Sequence, residues 1–438
     1  MKSSPSPTVP QVQRGSDRPG GRLWATVVVV GLIGQIAWTV ENMYLNVFVY
    51  ETITPDPTAI ATMVALSAVA ATVATVLVGA WSDRVGRRRV FISVGYLAWG
   101  LCTAAFGLFS PESGAVAAPY VAAALIGIIA LDCVMSIFGS GANDAAFAAW
   151  VTDATSPRNR GRVDGVLAIM PLIAMLIVFG ALDGLTRAGE WRTFFAVVGA
   201  VTVVSGIAAW FLVRDVPAPS RENASLPARL VEGFRPSTIR AQPALYASLL
   251  LWLIVGTASQ VFLPYVIIYL QRWLKIESYA LVLGVSLIAA SFISILGGRL
   301  MDRVGKRRML LPATALFAVG LVMMFFAREL FPVIVAASLA MGGMMLAIAS
   351  ISATVRDETP EGRAGMVQGL RMVMAIMVPM IAGPFIGAAV ISSAGQSYVE
   401  LGVARPVPGP EIFIGAAIVL VLVPIAAVLR ARVERSGR

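Results

Sequence analysis

Twelve apolar stretches, each long enough to cross a bilayer, constrain this chain more than any other feature. A spanning helix needs about 20 predominantly apolar residues. The segments 24–50, 58–80, 89–110, 117–151, 163–185, 191–213, 244–270, 278–300, 308–327, 331–355, 364–394 and 410–430 meet that test and are numbered helices 1 to 12. Several exceed the minimum, so tilt or extension beyond the bilayer is expected. Charged residues are only 13% of the chain and hydrophobic residues 58%, about half the charge of an ordinary soluble protein. The expected fold is an all-α membrane protein with twelve transmembrane helices.

An even number of spans puts both termini on one side. That side holds 26 of the 34 lysines and arginines; Arg187, Arg192, Arg272, Lys275, Arg328 and Arg405 fall on the other. Cations stay on the cytoplasmic side, so both termini are expected there, with the protein multi-pass in the plasma (inner) membrane. The Ser/Pro-rich residues 1–22 read as a disordered cytoplasmic tail, without the apolar core of a signal peptide. Residues 23–213 form a six-helix half, 214–243 a cytoplasmic linker rich in Pro and Arg, 244–432 a second six-helix half, and 433–438 a short tail.

The halves repeat one another. Gly79-Ala-Trp-Ser-Asp83-Arg84-Val-Gly86-Arg87-Arg88-Arg89 joins helices 2 and 3, and Gly298-Arg-Leu-Met-Asp302-Arg303-Val-Gly305-Lys306-Arg307-Arg308 joins helices 8 and 9. Asp83 and Asp302 lie 219 residues apart, half the chain. Gly86 and Gly305 permit a sharp reversal. A second pair follows helices 4 and 10: Asp153-Ala-Thr155 through Gly161 and Gly165, against Asp357-Glu-Thr359 through Gly365 and Gly369. Each gives a G-x-x-x-G at a helix start, a spacing that lets membrane helices approach closely.

The doubled loop resembles the signature of the major facilitator superfamily, whose two halves surround a central cavity. The resemblance implies alternating access. It also implies that Asp83 meets the start of helix 11 and Asp302 that of helix 5, latching the cytoplasmic side. A carboxylate at a helix N-terminus is worth about 0.3–1 kcal/mol. The plainer alternative is a solvated charge at a helix end. Gly79, Asp83, Arg84, Gly86, Arg87, Asp302, Arg303, Gly305 and Lys306 are therefore gate candidates, not substrate ligands.

Ionisable groups inside the membrane cost about 2.5–3.5 kcal/mol each and ask for a reason. Gln35, Trp38, Glu41 and Asn42 recur at helical spacing on helix 1, which lines the cavity in the superfamily. Glu41 is a substrate or proton site, or a structural carboxylate. Asp132 stands alone in an apolar run of helix 4. Asp144, farther along, is either part of the site or paired with a loop arginine. Helix 7 offers Gln260 and Tyr265. Arg371 of helix 11 either partners an acid across the cavity or snorkels.

The chain has no histidine, and its two cysteines, Cys102 and Cys133, lie in apolar runs. Histidine-based metal sites, catalytic triads and disulfide frameworks are thereby removed. No catalytic constellation appears, so an enzyme is not expected, nor any cofactor or metal. The net charge of +10 is spread over loops, so no nucleic-acid partner is expected. The expected partners are a small-molecule solute, a coupling proton and the bilayer, with a monomeric transporter.

The arginine within helix 4 and the glycine-rich helix 5 that mark proton-coupled drug antiporters are missing. The loops are most similar to the glycoside-pentoside-hexuronide:cation symporters, the melibiose permease group. That group's two helix-2 aspartates correspond to Ala71 and Thr75 here, so its sodium site is not carried over. The expectation is proton-coupled symport of a sugar-like or other small polar solute. Export of amphipathic drugs, favoured by an apolar cavity, and a non-transporting sensor or scaffold are the alternatives.

Overall fold

The computed structural model describes residues 20–110, 118–156, 159–215, 232–360, 363–400 and 403–436. Most of the linker and of both tails lies outside them. Twelve helices among the described residues are long and apolar enough to span a membrane: Gly21–Ile53, Pro57–Val85, Arg88–Phe109, Val121–Ala154, Arg160–Arg187, Trp191–Leu212, Pro243–Trp273, Tyr279–Val304, Lys306–Phe326, Leu330–Asp357, Gly365–Ala394 and Glu411–Val428. Their number and order match the sequence segments. The chain is a multi-pass membrane protein.

Local chemistry sets the helix ends. Asp56 caps helix 2, accepting from the Thr58 amide at 2.8 Å, with Pro57 at the first helical position, where its missing N–H costs nothing. Helix 2 stops at Gly86, which takes φ +66° and donates to the Ser82 carbonyl. Gly305 ends helix 8 with φ +100°. Both expected turn glycines thus adopt backbone that other residues rarely accept.

Packing within each half depends on small residues. A Cβ on Gly100 would lie 2.6 Å from the Gly199 carbonyl oxygen, pressing helix 3 against helix 6. A Cβ on Gly343 or Gly320 would strike the backbone at Phe317 or Ala340, so helices 9 and 10 are equally close. The Gly161/Gly165 pair differs from expectation: a Cβ at either position meets nothing within 4 Å. Among the described residues helix 5 approaches no neighbour there, and its buried residues between Arg160 and Ile177 are Val163, Met170 and Ala174.

The described ends of helices 1 and 12, at Gly20 and Ser436, lie on one face, here the terminal face; the other is the far face. Among described residues, the hydrogen bonds between the halves lie on the far face. Arg187 donates to the Glu277 carbonyl at 3.3 Å and Tyr265 to the Pro57 carbonyl at 3.0 Å. Tyr50 donates to the Pro406 carbonyl at 2.7 Å. Arg272 of helix 7 pairs with Glu51 of helix 1, and Tyr279 of helix 8 donates to Asp183 of helix 5. A two-stranded hairpin, β1 (Ser397–Glu400) and β2 (Val403–Pro406), joins helices 11 and 12 on this face. Arg272 also stacks over its Tyr398. The halves are clasped on the far face.

Candidate functional site

Five of the spans contain wide, π-helical turns that sequence periodicity does not reveal. Helix 1 has them at Val40–Tyr44 and Val49–Ile53, helix 4 at Ser140–Phe147 and helix 5 at Val178–Leu182. Helices 7 and 11 carry one each, at Tyr269–Trp273 and Val373–Met377. Such turns insert a residue and rotate the remainder of the helix about its axis.

In helix 1 the consequence is direct. Gln35 and Trp38 are half-buried and Asn42 is exposed, its amide donating to the Trp38 carbonyl at 2.8 Å. Glu41, inside the wide turn, is only 7% exposed and points into the first half instead. Its Oε1 accepts from Ser136 Oγ of helix 4 at 2.6 Å, while Oε2 is buried with no hydrogen-bond partner. One helical turn before Ser136 stands Asp132, 2% exposed, with its Oδ1 also unpartnered. Ser67 of helix 2 faces Asp132, and the two carboxyl groups are close enough to act on each other. The structure thus brings Glu41 and Asp132 together, which their separation of 91 residues in sequence did not reveal.

Asp144 sits in the wide turn of helix 4 and is exposed, accepting from the Asn143 amide at 2.9 Å. Trp38 and Ser140 lie beside it. The Tyr96 hydroxyl of helix 3 reaches both Asn143 Oδ1 at 2.9 Å and the Val30 carbonyl at 2.8 Å. Gly34 makes this possible, because a Cβ there would overlap the Tyr96 hydroxyl and the Asn143 side chain. Trp38, Trp99 and Tyr96 follow in aromatic contact, with ring centroids 5.1 and 5.4 Å apart. Tyr96, Ser136 and Gly34 are site residues that the sequence reading missed; only their positions in space identify them.

In the second half, Gln260 is half-buried where helix 11 crosses helix 7 at Gly383. Tyr265 is fully buried, its hydroxyl placed between the Pro57 and Pro384 carbonyls, so it ties helices 2, 7 and 11. Arg371 stacks over Trp252 of helix 7, 5.3 Å from the ring centre. Separately, a small apolar cavity of about 40 Å³ is lined by Met43 and Met175 from the first half and by Phe262, Met324, Met341 and Phe413 among others from the second.

The loop motifs form their contacts within each half. Asp83 pairs with Arg88, which is buried and also donates to Ser82 Oγ at 2.5 Å. Arg88 lies 3.5 Å from Asp153 at the end of helix 4. The second half repeats the arrangement: Lys306 pairs with Asp357 at 2.7 Å and Arg307 with Glu358 at 3.0 Å. Gly79 lies in helix 2, whereas Arg84, Arg87, Asp302 and Arg303 are exposed at the terminal face.

Comparison with known proteins agrees with this architecture. The chain is similar to a bacterial homologue of the human lysosomal transporter Spinster, in an inward-facing and unoccupied conformation, with 16% identity and a TM-score of 0.67 over 96% of this chain and 98% of that one. The nucleoside transporter NupG matches at 12% identity and TM-score 0.67, covering 94% and 99% of the two chains. The xylose transporter XylE from E. coli, partially occluded and inward open, matches at 13% identity and TM-score 0.66, covering 94% and 98%. At such identities the likeness is one of fold. No curated protein sequence matches the chain. The Major Facilitator Superfamily profile matches residues 27–275 and again 249–438. With one match on each half of a twelve-helix fold, the chain belongs to the Major Facilitator Superfamily and is a membrane transporter, not an enzyme.

Proposed function

We propose that the protein is a proton-coupled symporter of a small polar, sugar-like solute, with both termini cytoplasmic. One observation carries the coupling: Glu41 and Asp132 are buried neighbours on helices 1 and 4, each with an oxygen that no group among the described residues satisfies. A buried carboxylate without a cation is costly, and a proton removes that cost with the fewest ligands. Sodium needs several oxygens, and helix 2 supplies Ala71 and Thr75 where the similar symporters carry aspartates. The exposed Asn42 and Asp144, with the half-buried Gln35 and Trp38, form the hydrogen-bonding wall for the solute. The loop likeness to the glycoside-pentoside-hexuronide:cation group supports the sugar-like reading. With the termini cytoplasmic, the clasped far face is the closed outer side, as in an inward-facing state. The Asp83 and Asp302 latches then belong to the opposite state.

Proteoliposome uptake tests the proposal. Accumulation should follow a pH gradient and be indifferent to replacing sodium with potassium or choline. Glu41→Gln or Asp132→Asn should abolish accumulation while sparing solute exchange. A strict sodium requirement, or full accumulation in the double variant, refutes proton coupling.

The apolar lining of this cavity favours a second reading, export of an amphipathic molecule. An unpartnered hydroxyl buried there would cost about 1–3 kcal/mol, which a polyol could not recover. Saturable transport of a lipophilic cation, with no sugar moved, would select this reading.

A further inference from the structure

Among the described residues, helix 11 carries a half-buried cation that enters a span without an acid beside it. Arg371 lies in the third turn of helix 11, and its guanidinium lies over Trp252, which is 8% exposed on helix 7. This direction decides against snorkelling: the side chain turns onto a buried ring inside the half, not out to the lipid interface. The described residues supply Arg371 with no carboxylate and no hydrogen-bond acceptor. The charge of another cation, Arg356 near the end of helix 10, reaches it. Arg356 is exposed and likewise has no ion-pair partner among the described residues.

The surrounding cations differ. Lys306 has Asp357, Arg307 has Glu358, and Arg430 shares Glu358. Among the described residues, neither Arg371 nor Arg356 shares in these pairs. A half-buried guanidinium with no acid beside it is unfavourable unless an anion joins it. Arginine is the side chain that receives planar carboxylates and phosphates in two parallel hydrogen bonds. The aromatic face of Trp252 holds the guanidinium flat and limits its rotation, so the fork is set before the ligand arrives.

We infer that Arg371, seated on Trp252 and aided by Arg356, binds an anionic group, a carboxylate or a phosphate, carried by the transported solute. The inference rests on the transport reading and narrows the solute to a small organic anion.

Full-length protein in neutral phosphatidylcholine nanodiscs tests it, using pairs matched except for charge: gluconate against glucose, and glucose 6-phosphate against glucose. Thermal stabilisation and direct binding should favour the anionic member. Arg371→Gln should reduce that preference at least tenfold, and Arg371→Lys should retain part of it. The lysine variant and an unchanged elution profile guard against misfolding. A second set of nanodiscs containing phosphatidylglycerol separates a lipid phosphate from a solute. Stabilisation by that lipid, lost in Arg371→Gln and unaccompanied by any solute preference, overturns the solute assignment. Equal binding within each pair, or a preference that survives Arg371→Gln, overturns the site itself. No pH gradient is applied, so either failure leaves proton coupling to its own test.

Discussion

At the scale of residues, a few atoms decide the geometry of the site. Gly34 lets helix 1 pass against Tyr96 and Asn143, both of them buried and hydrogen-bonded and so unable to move aside. Gly34→Ala is expected to cost about 1–3 kcal/mol through overpacking, read as a lower unfolding temperature of the purified protein. Gly161→Ala, into open space, should stay within about 0.5 kcal/mol; equal effects would show that the close approach at Gly34 is not structural. Arg88 and Arg87 make a similar contrast. Arg88 is buried against Ser82, Asp83 and Asp153, whereas Arg87 is exposed. Arg88→Gln should destabilise by about 1.5–3 kcal/mol, the usual loss when a hydrogen bond to a charged group goes, while Arg87→Gln changes little. The sequence marked the arginine cluster but could not rank its members, because burial depends on helix 4, which is remote in sequence.

At the scale of elements, the twelve spans and the two turn glycines were readable because hydropathy and positive φ are local properties. The direction of Glu41 was not. Neighbouring positions stand about 100° apart on a helix, so periodicity does not say which of Glu41 and Asn42 turns inward; in the wide turn at Val40–Tyr44 Glu41 is buried and Asn42 exposed. The far-face clasp was equally hidden, since Glu51, Arg272 and Tyr398 read as ordinary loop residues until helices 1 and 7 and the hairpin converge. A partly buried ion pair of this kind contributes about 1 kcal/mol, which shifts a two-state balance about fivefold. Glu51→Gln should therefore raise the labelling of Met43→Cys, in a chain with Cys102 and Cys133 replaced by alanine, by reagent applied at the far face. Unchanged labelling would mean that the pair does not hold the clasp.

At the scale of the whole molecule, charge asymmetry and alternating access make two predictions. Ser225→Cys should react only with reagent that reaches the cytoplasm, and Pro111→Cys only with reagent outside; labelling of Ser225→Cys in intact cells would invert the topology. If one proton accompanies a singly charged anion, the pair crosses with no net charge. Each uncompensated charge would be worth about 2.3 kcal/mol per 100 mV, so uptake should follow the pH gradient and ignore an imposed potassium diffusion potential. A strong response to that potential would require a different stoichiometry.

The repeated loop contacts have a consequence for how the chain is joined. Arg88 meets Asp153, and Lys306 and Arg307 meet Asp357 and Glu358, each inside its own half. Among the described residues these loop pairs stay within one half, and the two halves are joined by the far-face bonds among Glu51, Arg272, Asp183, Tyr279 and Tyr265. Covalent continuity between the halves is then dispensable: residues 1–222 and 223–438, expressed as two polypeptides, should find each other in the bilayer and copurify as a working pair.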